Sequence, residues 1–275
     1  MKVSKSFLLG AIKKCLPGAD TGKSLLEGAD ALVFDAGWLH SYNDAISVSV
    51  PVPELSGLSG NVRAKEFYNV ISKFSDLELE INSTEKSFTI SGAKAHVEMT
   101  LLENAMKGRI AAVLDSIEEW KALPEDFINA LAACKFACNT SGMAGIFVNG
   151  VVMAATDEKR VNYWEMKAEM GQFWITDPSA GELLKFNGLS EYALSSAWLH
   201  IKTDSGVCFS CKRLADDRWP YAQVKKILAT HETTEDDITN TMPKGVLPAV
   251  ERASALYTDV NGQKAVQLVI SPEGV

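Results

Sequence analysis

The stretch closest to a phosphate-binding loop is Gly18-Ala19-Asp20-Thr21-Gly22-Lys23-Ser24. That loop follows G-x-x-x-x-G-K-[ST], because its glycines let backbone N–H groups wrap the phosphates. Here Pro17 holds the first glycine position, and a helical pattern precedes the segment where the motif needs a strand. The segment reads as a loop with one exposed lysine. Cys208-x-x-Cys211 and Cys134-x-x-x-Cys138 could together offer four thiolates to zinc. The first pair lies in a strand-like stretch, where residues three apart point to opposite faces. Knuckle glycines are absent, so buried or half-buried free thiols are the expectation. His40, His96, His200 and His231 show no metal-ligand spacing, no Gly-x-Ser-x-Gly elbow occurs, and the acidic residues are scattered. Neither a cofactor nor a metal is expected. The residues point to a binding or scaffold role and away from catalysis.

The 275 residues are enough for about two domains. With 27 basic against 35 acidic residues, the formal charge is −8. This excludes a uniformly basic nucleic-acid binder but leaves room for a local basic surface in an acidic shell. No apolar run approaches the ~18–20 residues of a membrane span. The opening MKVSKSFLLGAIKK imitates a secretory signal, but its apolar stretch, Phe7 to Ile12, stops at Lys13 and Lys14. It is expected to be a helix of the mature protein. Five cysteines are an odd and sparse set, so a disulfide framework is not expected and a reducing cytoplasm is.

The elements that would position any binding surface recur. Amphipathic helix patterns begin near residues 4, 63, 124, 178 and 244, about 60 residues apart, and short alternating strands follow each. The first helix places Phe7, Leu8, Ala11, Ile12, Cys15 and Leu16 on one stripe and ends at Pro17-Gly18. The second buries Phe67, Val70, Ile71 and Phe74. The third opens at Pro124 and turns Phe127, Ile128, Leu131 and Cys134 inward. The fourth runs from Pro178 to Phe186, and the fifth from about Val246 to Leu256. Residues 95–102 and 77–81 alternate as strands. The unit is one helix plus about three strands, and two units make a domain. The expected limits are 1–115, 116–229 and a partial 230–275, with a polar linker at THETTEDDITNT.

Three motifs then resemble the bacterial and phage DNA polymerase sliding clamp, the beta subunit of the replicative polymerase. FVNGVVMAATDEKRV, at 147–161, is similar to the family segment in which Leu-Asn-Gly leads to Ala-Thr-Asp-Gly-His-Arg-Leu. CKRLADDRWPYAQV, at 211–224, resembles Ser-Arg-Leu-hydrophobic-Asp-Gly-x-Phe-Pro-Asp-Tyr. VRAKEFYNVISKFSDLELEI, at 62–81, with SFTISG after it, resembles the second helix and its strands. The segment 245–256 is similar to the start of the third domain. The chain departs from the pattern at Glu158 and Lys159, which replace Gly-His, at Asp217 and Trp219, and in its short third domain.

The resemblance implies an α+β DNA-clamp fold, with repeated helix-plus-strands units, helices on an inner face and antiparallel sheets outside. It implies a non-catalytic processivity factor that encircles duplex DNA without reading its sequence and tethers a polymerase. The other expectation kept open is a clamp-like accessory protein, phage-encoded for example, that does not encircle DNA. An enzyme using the Lys23 loop or the cysteines would declare itself by bound nucleotide or stoichiometric zinc. As DNA-binding candidates, Lys23 matches a basic loop residue of the family that touches DNA, Lys65 matches a basic position at the start of its second inner helix, and Lys5, Lys13, Lys73, Lys135 and Lys185 follow from helix position. A groove for short linear peptides of polymerase and clamp loader would be formed by Val148, Thr156, Lys159, Arg160, Val161, Pro220 and Val224. Self-association into a ring is expected, and no membrane contact.

Overall fold

A computed structural model describes residues 1–19, 26–103, 106–138, 145–157, 160–215, 219–230, 245, 248 and 249. The chain divides into two compact units, Met1–Tyr221 and Ala222–Val275. The expected fifth helix, the linker and the second half of the Lys23 loop lie outside the described residues.

Every strand pairing in the first unit is antiparallel. The largest sheet has eight strands in the order β5-β2-β3-β4-β14-β13-β12-β9. Its members are β2 (Ala31–Asp35), β3 (Trp38–Tyr42), β4 (Ile46–Pro51), β5 (Gly60–Arg63), β9 (Lys121–Ala122), β12 (Leu189–Leu194), β13 (Trp198–Thr203) and β14 (Cys208–Lys212). A second sheet orders β1 (Lys2–Ser4), β6 (Glu78–Ser83), β7 (Ser87–Ser91) and β8 (His96–Thr100) as β1-β6-β7-β8. The long strands β10 (Gly145–Thr156) and β11 (Val161–Thr176) form a third, two-stranded sheet.

The repeat is visible in the pairing. β1 precedes helix α1 (Lys5–Cys15) yet pairs with β6, and β5 precedes helix α2 (Ala64–Lys73) yet pairs with β2. Each unit thus lends its first strand to its neighbour's sheet. β9, ahead of helix α4 (Phe127–Lys135), likewise pairs with β12, which follows helix α5 (Asp177–Leu183). The fourfold helix-plus-strands repeat expected from the sequence is therefore the architecture of the first unit.

Helix α1 forms because Leu8, Ala11, Ile12 and Cys15 make one buried stripe. Phe7 and Leu16, expected on that stripe, flank it on either side and are 39% and 37% exposed. At Gly18 a Cβ would collide with the Ser41 hydroxyl, which donates to the Cys15 carbonyl at 2.6 Å. The glycine serves close packing at the helix end. Helix α2 buries Phe67 and Ile71, and Phe34 meets the edges of Phe67 and Phe88 at 5.6 and 5.3 Å.

Helix α4 starts at Phe127, three residues after Pro124, because Pro124 to Asp126 form a turn whose Pro124 carbonyl accepts from Phe127 N. Asp126 instead ties the helix to β11, accepting from Trp164 Nε1 at 2.9 Å and from Lys167 N at 3.2 Å. Helix α5 is capped by Thr176, whose Oγ1 accepts from Ser179 N, with Pro178 in its first turn.

One helix was not expected. Helix α3 (Lys107–Asp115) occupies the stretch read as a domain boundary. Met106, Ile110 and Val113 pack on Val33, Tyr42 and Trp198. By strand alternation Val33 points away from Leu32 and Phe34, which face the main core beneath α1. Helix α3 therefore covers the opposite face of the eight-stranded sheet and bridges the early strands and β13. Four helices form a row, α2–α1–α5–α4. α1 packs on α2 and α4 on α5, and the ends of α1 and α5 line one cavity.

Candidate functional site

The row of helices carries most of the lysines that the sequence marks for DNA. Their surroundings separate them into two groups. Lys5 Nζ donates to the Ser72 carbonyl at 3.1 Å and also to the Phe74 carbonyl, so its ammonium closes the C-terminal end of α2. Lys135 Nζ meets Asp177 Oδ1 at 2.7 Å and joins the end of α4 to the start of α5. Lys185 Nζ meets Glu182 Oε1 at 2.7 Å. Lys13 and Lys73, in the last turns of α1 and α2, and Lys65, in the first turn of α2, are exposed and make no ion pair among the described residues. Lys14 belongs with these three, although helix position alone did not mark it. Lys23 lies outside the described residues.

The peptide-groove residues fall in two places. At the β10–β11 hairpin, Thr156 Oγ1 donates to the Arg160 carbonyl at 2.7 Å, and Val161 pairs with Thr156. Asp157 accepts from Arg160 N at 2.7 Å and from its Nε at 2.8 Å. This fixes the Arg160 guanidinium, which lies 4.8 Å above the ring of Phe136, itself 70% exposed. Lys159 lies outside the described residues. Val148, far along β10, is fully buried in the main core.

Its neighbour Phe147 belongs to a separate aromatic group. Phe147 stacks on Trp219 with centroids 5.4 Å apart and an interplanar angle of 11°. Trp174 and Tyr221 complete the group, 5.8 Å from Trp219 and 5.6 Å from Phe147. Pro220 is half-buried between Trp219 and Tyr221 in sequence, and Val224, one turn along α6 (Tyr221–Thr230), is buried. Sequence reasoning singled out Trp219 only as a departure. The alternation of Phe147 with Val148 was the signal for a second apolar face on β10.

His200 and Cys211 are enclosed. His200 Nδ1 lies 2.8 Å from the buried Ser210 Oγ, and its Nε2 3.3 Å from Oγ of the half-buried Ser116. Burial lowers the His200 imidazole to about 4. Burial pushes the Cys211 thiol up to about 12, the direction opposite to that of a nucleophilic cysteine. Among the described residues, no group of three or more His, Cys, Asp or Glu side chains could hold a metal ion. No described helix is long and apolar enough to cross a membrane.

No protein-family profile and no curated protein matches this sequence. Solved structures do. A putative DNA polymerase III beta subunit from Eubacterium rectale aligns over 94% of this chain and 74% of its own, with a TM-score of 0.72 at 14% identity. A Helicobacter pylori beta clamp bound to a DNA ligase peptide aligns over 94% and 76%, with a TM-score of 0.70 at 16% identity. The sliding clamp of Bacillus subtilis aligns over 94% and 74%, with a TM-score of 0.66 at 18% identity. The fold is that of the bacterial polymerase sliding clamp, as the resemblance implied.

Proposed function

We propose that this chain is a DNA sliding clamp, a non-catalytic processivity factor that encircles duplex DNA and tethers a DNA polymerase. The observation that carries the reading is the clamp fold itself, with its row of four helices set against antiparallel sheets. A closed ring needs no tight phosphate contacts, because topology prevents lateral dissociation. A few long lysines then suffice, and Lys13, Lys14, Lys65 and Lys73, with Lys23 on its loop, supply them. The domains of this reading are 1–115 and 116–229, followed by residues 230–275, and the setting is cytoplasmic. Polymerase and clamp loader dock through short peptides near Thr156, Arg160, Val161 and Pro220, a reading supported by the neighbour bound to a DNA ligase peptide.

Self-association into a ring completes the reading. The test compares retention of the full chain on nicked circular DNA and on the same DNA linearised, after loading at low salt and washing at high salt. Encirclement predicts retention on the circle and rapid loss from the linear form. Equal loss from both overturns it.

One observation favours a second reading, a clamp-fold accessory protein that does not encircle DNA. β4 offers β14 a straight edge, but β11 bulges, with residues 166–169 standing against the single residue 151. Within that bulge the Lys167 N–H is already taken by Asp126. Loss from both DNA forms, with peptide binding retained, is the result expected of such a protein.

A further inference from the structure

The row of helices is cationic at one end only. Helix α1 carries Lys5, Lys13 and Lys14 and no acidic residue. Helix α2 carries Lys65 and Lys73 against Glu66, which lies 3.9 Å from Arg63 Nε. With Lys5 engaged by the carbonyls at the end of α2, four ammonium groups stay exposed on this pair: Lys13, Lys14, Lys65 and Lys73. On α4 and α5 the balance differs. Lys135, at the end of α4, and Lys185, two residues past α5, each hold a carboxylate at 2.7 Å, so Asp177 and Glu182 cancel them.

The border between the two pairs is a cavity of about 580 Å³, where the end of α1 faces the end of α5. Lys13, Lys14, Lys185 and Glu182 line it, with Leu16 and Phe186 among its apolar walls. Since Glu182 is taken by Lys185, the two free ammonium groups facing the cavity are those of Lys13 and Lys14. A doubly cationic, partly apolar hollow of this size accepts a phosphate group with its sugar. Lysine suits it as a mobile point charge that does not fix register.

On the reading of this chain as a DNA-binding clamp, we infer that each copy sets its α1–α2 pair against the phosphates of duplex DNA, while its α4 and α5 form a neutral wall. Lys14, which helix position did not single out, is one of the principal contacts, and Lys135 and Lys185 are structural.

The experiment measures equilibrium binding of the full chain to a short fluorescein-labelled duplex by anisotropy, across a series of potassium chloride concentrations. Each phosphate contact contributes about 0.9 to the slope of log K against log salt. Lys13→Ala with Lys14→Ala should lower the slope by about 1.8, and adding Lys65→Ala and Lys73→Ala by about 3.6 in all. Lys13→Arg with Lys14→Arg should keep the wild-type slope. Lys135→Met with Asp177→Asn, and Lys185→Met with Glu182→Gln, remove each ion pair as a unit and should leave the slope unchanged.

The four exposed lysines bear no core contact, so circular dichroism melting should match the wild type and exclude misfolding as the cause. An unchanged slope in the quadruple alanine variant, or an equal loss in the ion-pair variants, overturns the one-sided wall while leaving the clamp reading standing. Salt-independent or absent duplex binding by the wild-type chain overturns this inference, while the clamp reading stands or falls on retention by circular against linear DNA.

Discussion

His40 and His200 occupy matching places on β3 and β13, and each bonds by Nδ1 at 2.8 Å to a serine on the next strand, Ser49 or Ser210. Burial lowers both imidazoles to about 4 from 6.5, with Asp35 acting in the opposite sense on His40. The folded chain therefore prefers them neutral. Below pH 6.5 the unfolded chain takes up protons first, so stability is lost as pH falls toward 4 and no further below it. Two and a half pH units at 1.36 kcal/mol each give about 3 kcal/mol per histidine. Thermal melting should fall steeply between pH 6.5 and 4, and His200→Asn should flatten about half of that fall. A slope unchanged in His200→Asn would place the titrating group elsewhere. At this scale the sequence was only partly legible. It marked Lys5, Lys135 and Lys185 as basic residues on helices, but the carbonyl of Phe74 lies 69 residues from Lys5, and Asp177 lies 42 from Lys135. Pairings over such distances leave no local pattern.

Helices were legible where a stripe repeats every turn. α1, α2, α4 and α5 begin at residues 5, 64, 127 and 177, close to the expected 4, 63, 124 and 178. α3 was missed although Met106, Ile110, Val113 and Leu114 repeat at helical spacing, because the stretch falls between two repeats and was read as a domain boundary. Its burial depends on Val33, Tyr42 and Trp198, strand residues whose outward side the sequence could not show to be covered. Helix α3 holds the outer face of the sheet across the β4–β14 pairing. Ile110→Ala should therefore cost about 2–4 kcal/mol in urea unfolding. It should also shift tryptophan emission to the red, since Trp198 is now only 8% exposed. A mutant as stable as the wild type, with unshifted emission, would mean that α3 does not bear on this joint.

The repeat also assigns roles to the edges of the whole molecule. β14 and β8 are the last strands of corresponding unit pairs, one at the centre of the eight-stranded sheet and one at a margin that no described strand pairs. β14 is buried along most of its length because β4 pairs with it, whereas His96, Glu98 and Thr100 of β8 are exposed. Neither a proline nor a lysine guards β8, the usual protection of an open edge. Beside it runs a groove of about 550 Å³ between β8 and α2, with Val70, Val97 and Met99 in its wall. If copies of this chain close a ring, the β4–β14 joint within the chain is the template, and β8 is the edge that receives the neighbouring copy. Light scattering over a concentration series should give a mass above that of the monomer. Met99→Lys should hold the chain monomeric and abolish retention on circular DNA. The lysine stem can lie along the groove with its charge in water, so the fold should survive with a melting curve near that of the wild type. Association undiminished in Met99→Lys would move the joint away from β8. A wild-type monomer at every concentration would mean that this chain does not encircle DNA by itself, and the accessory reading would then account for the bulged β11 edge.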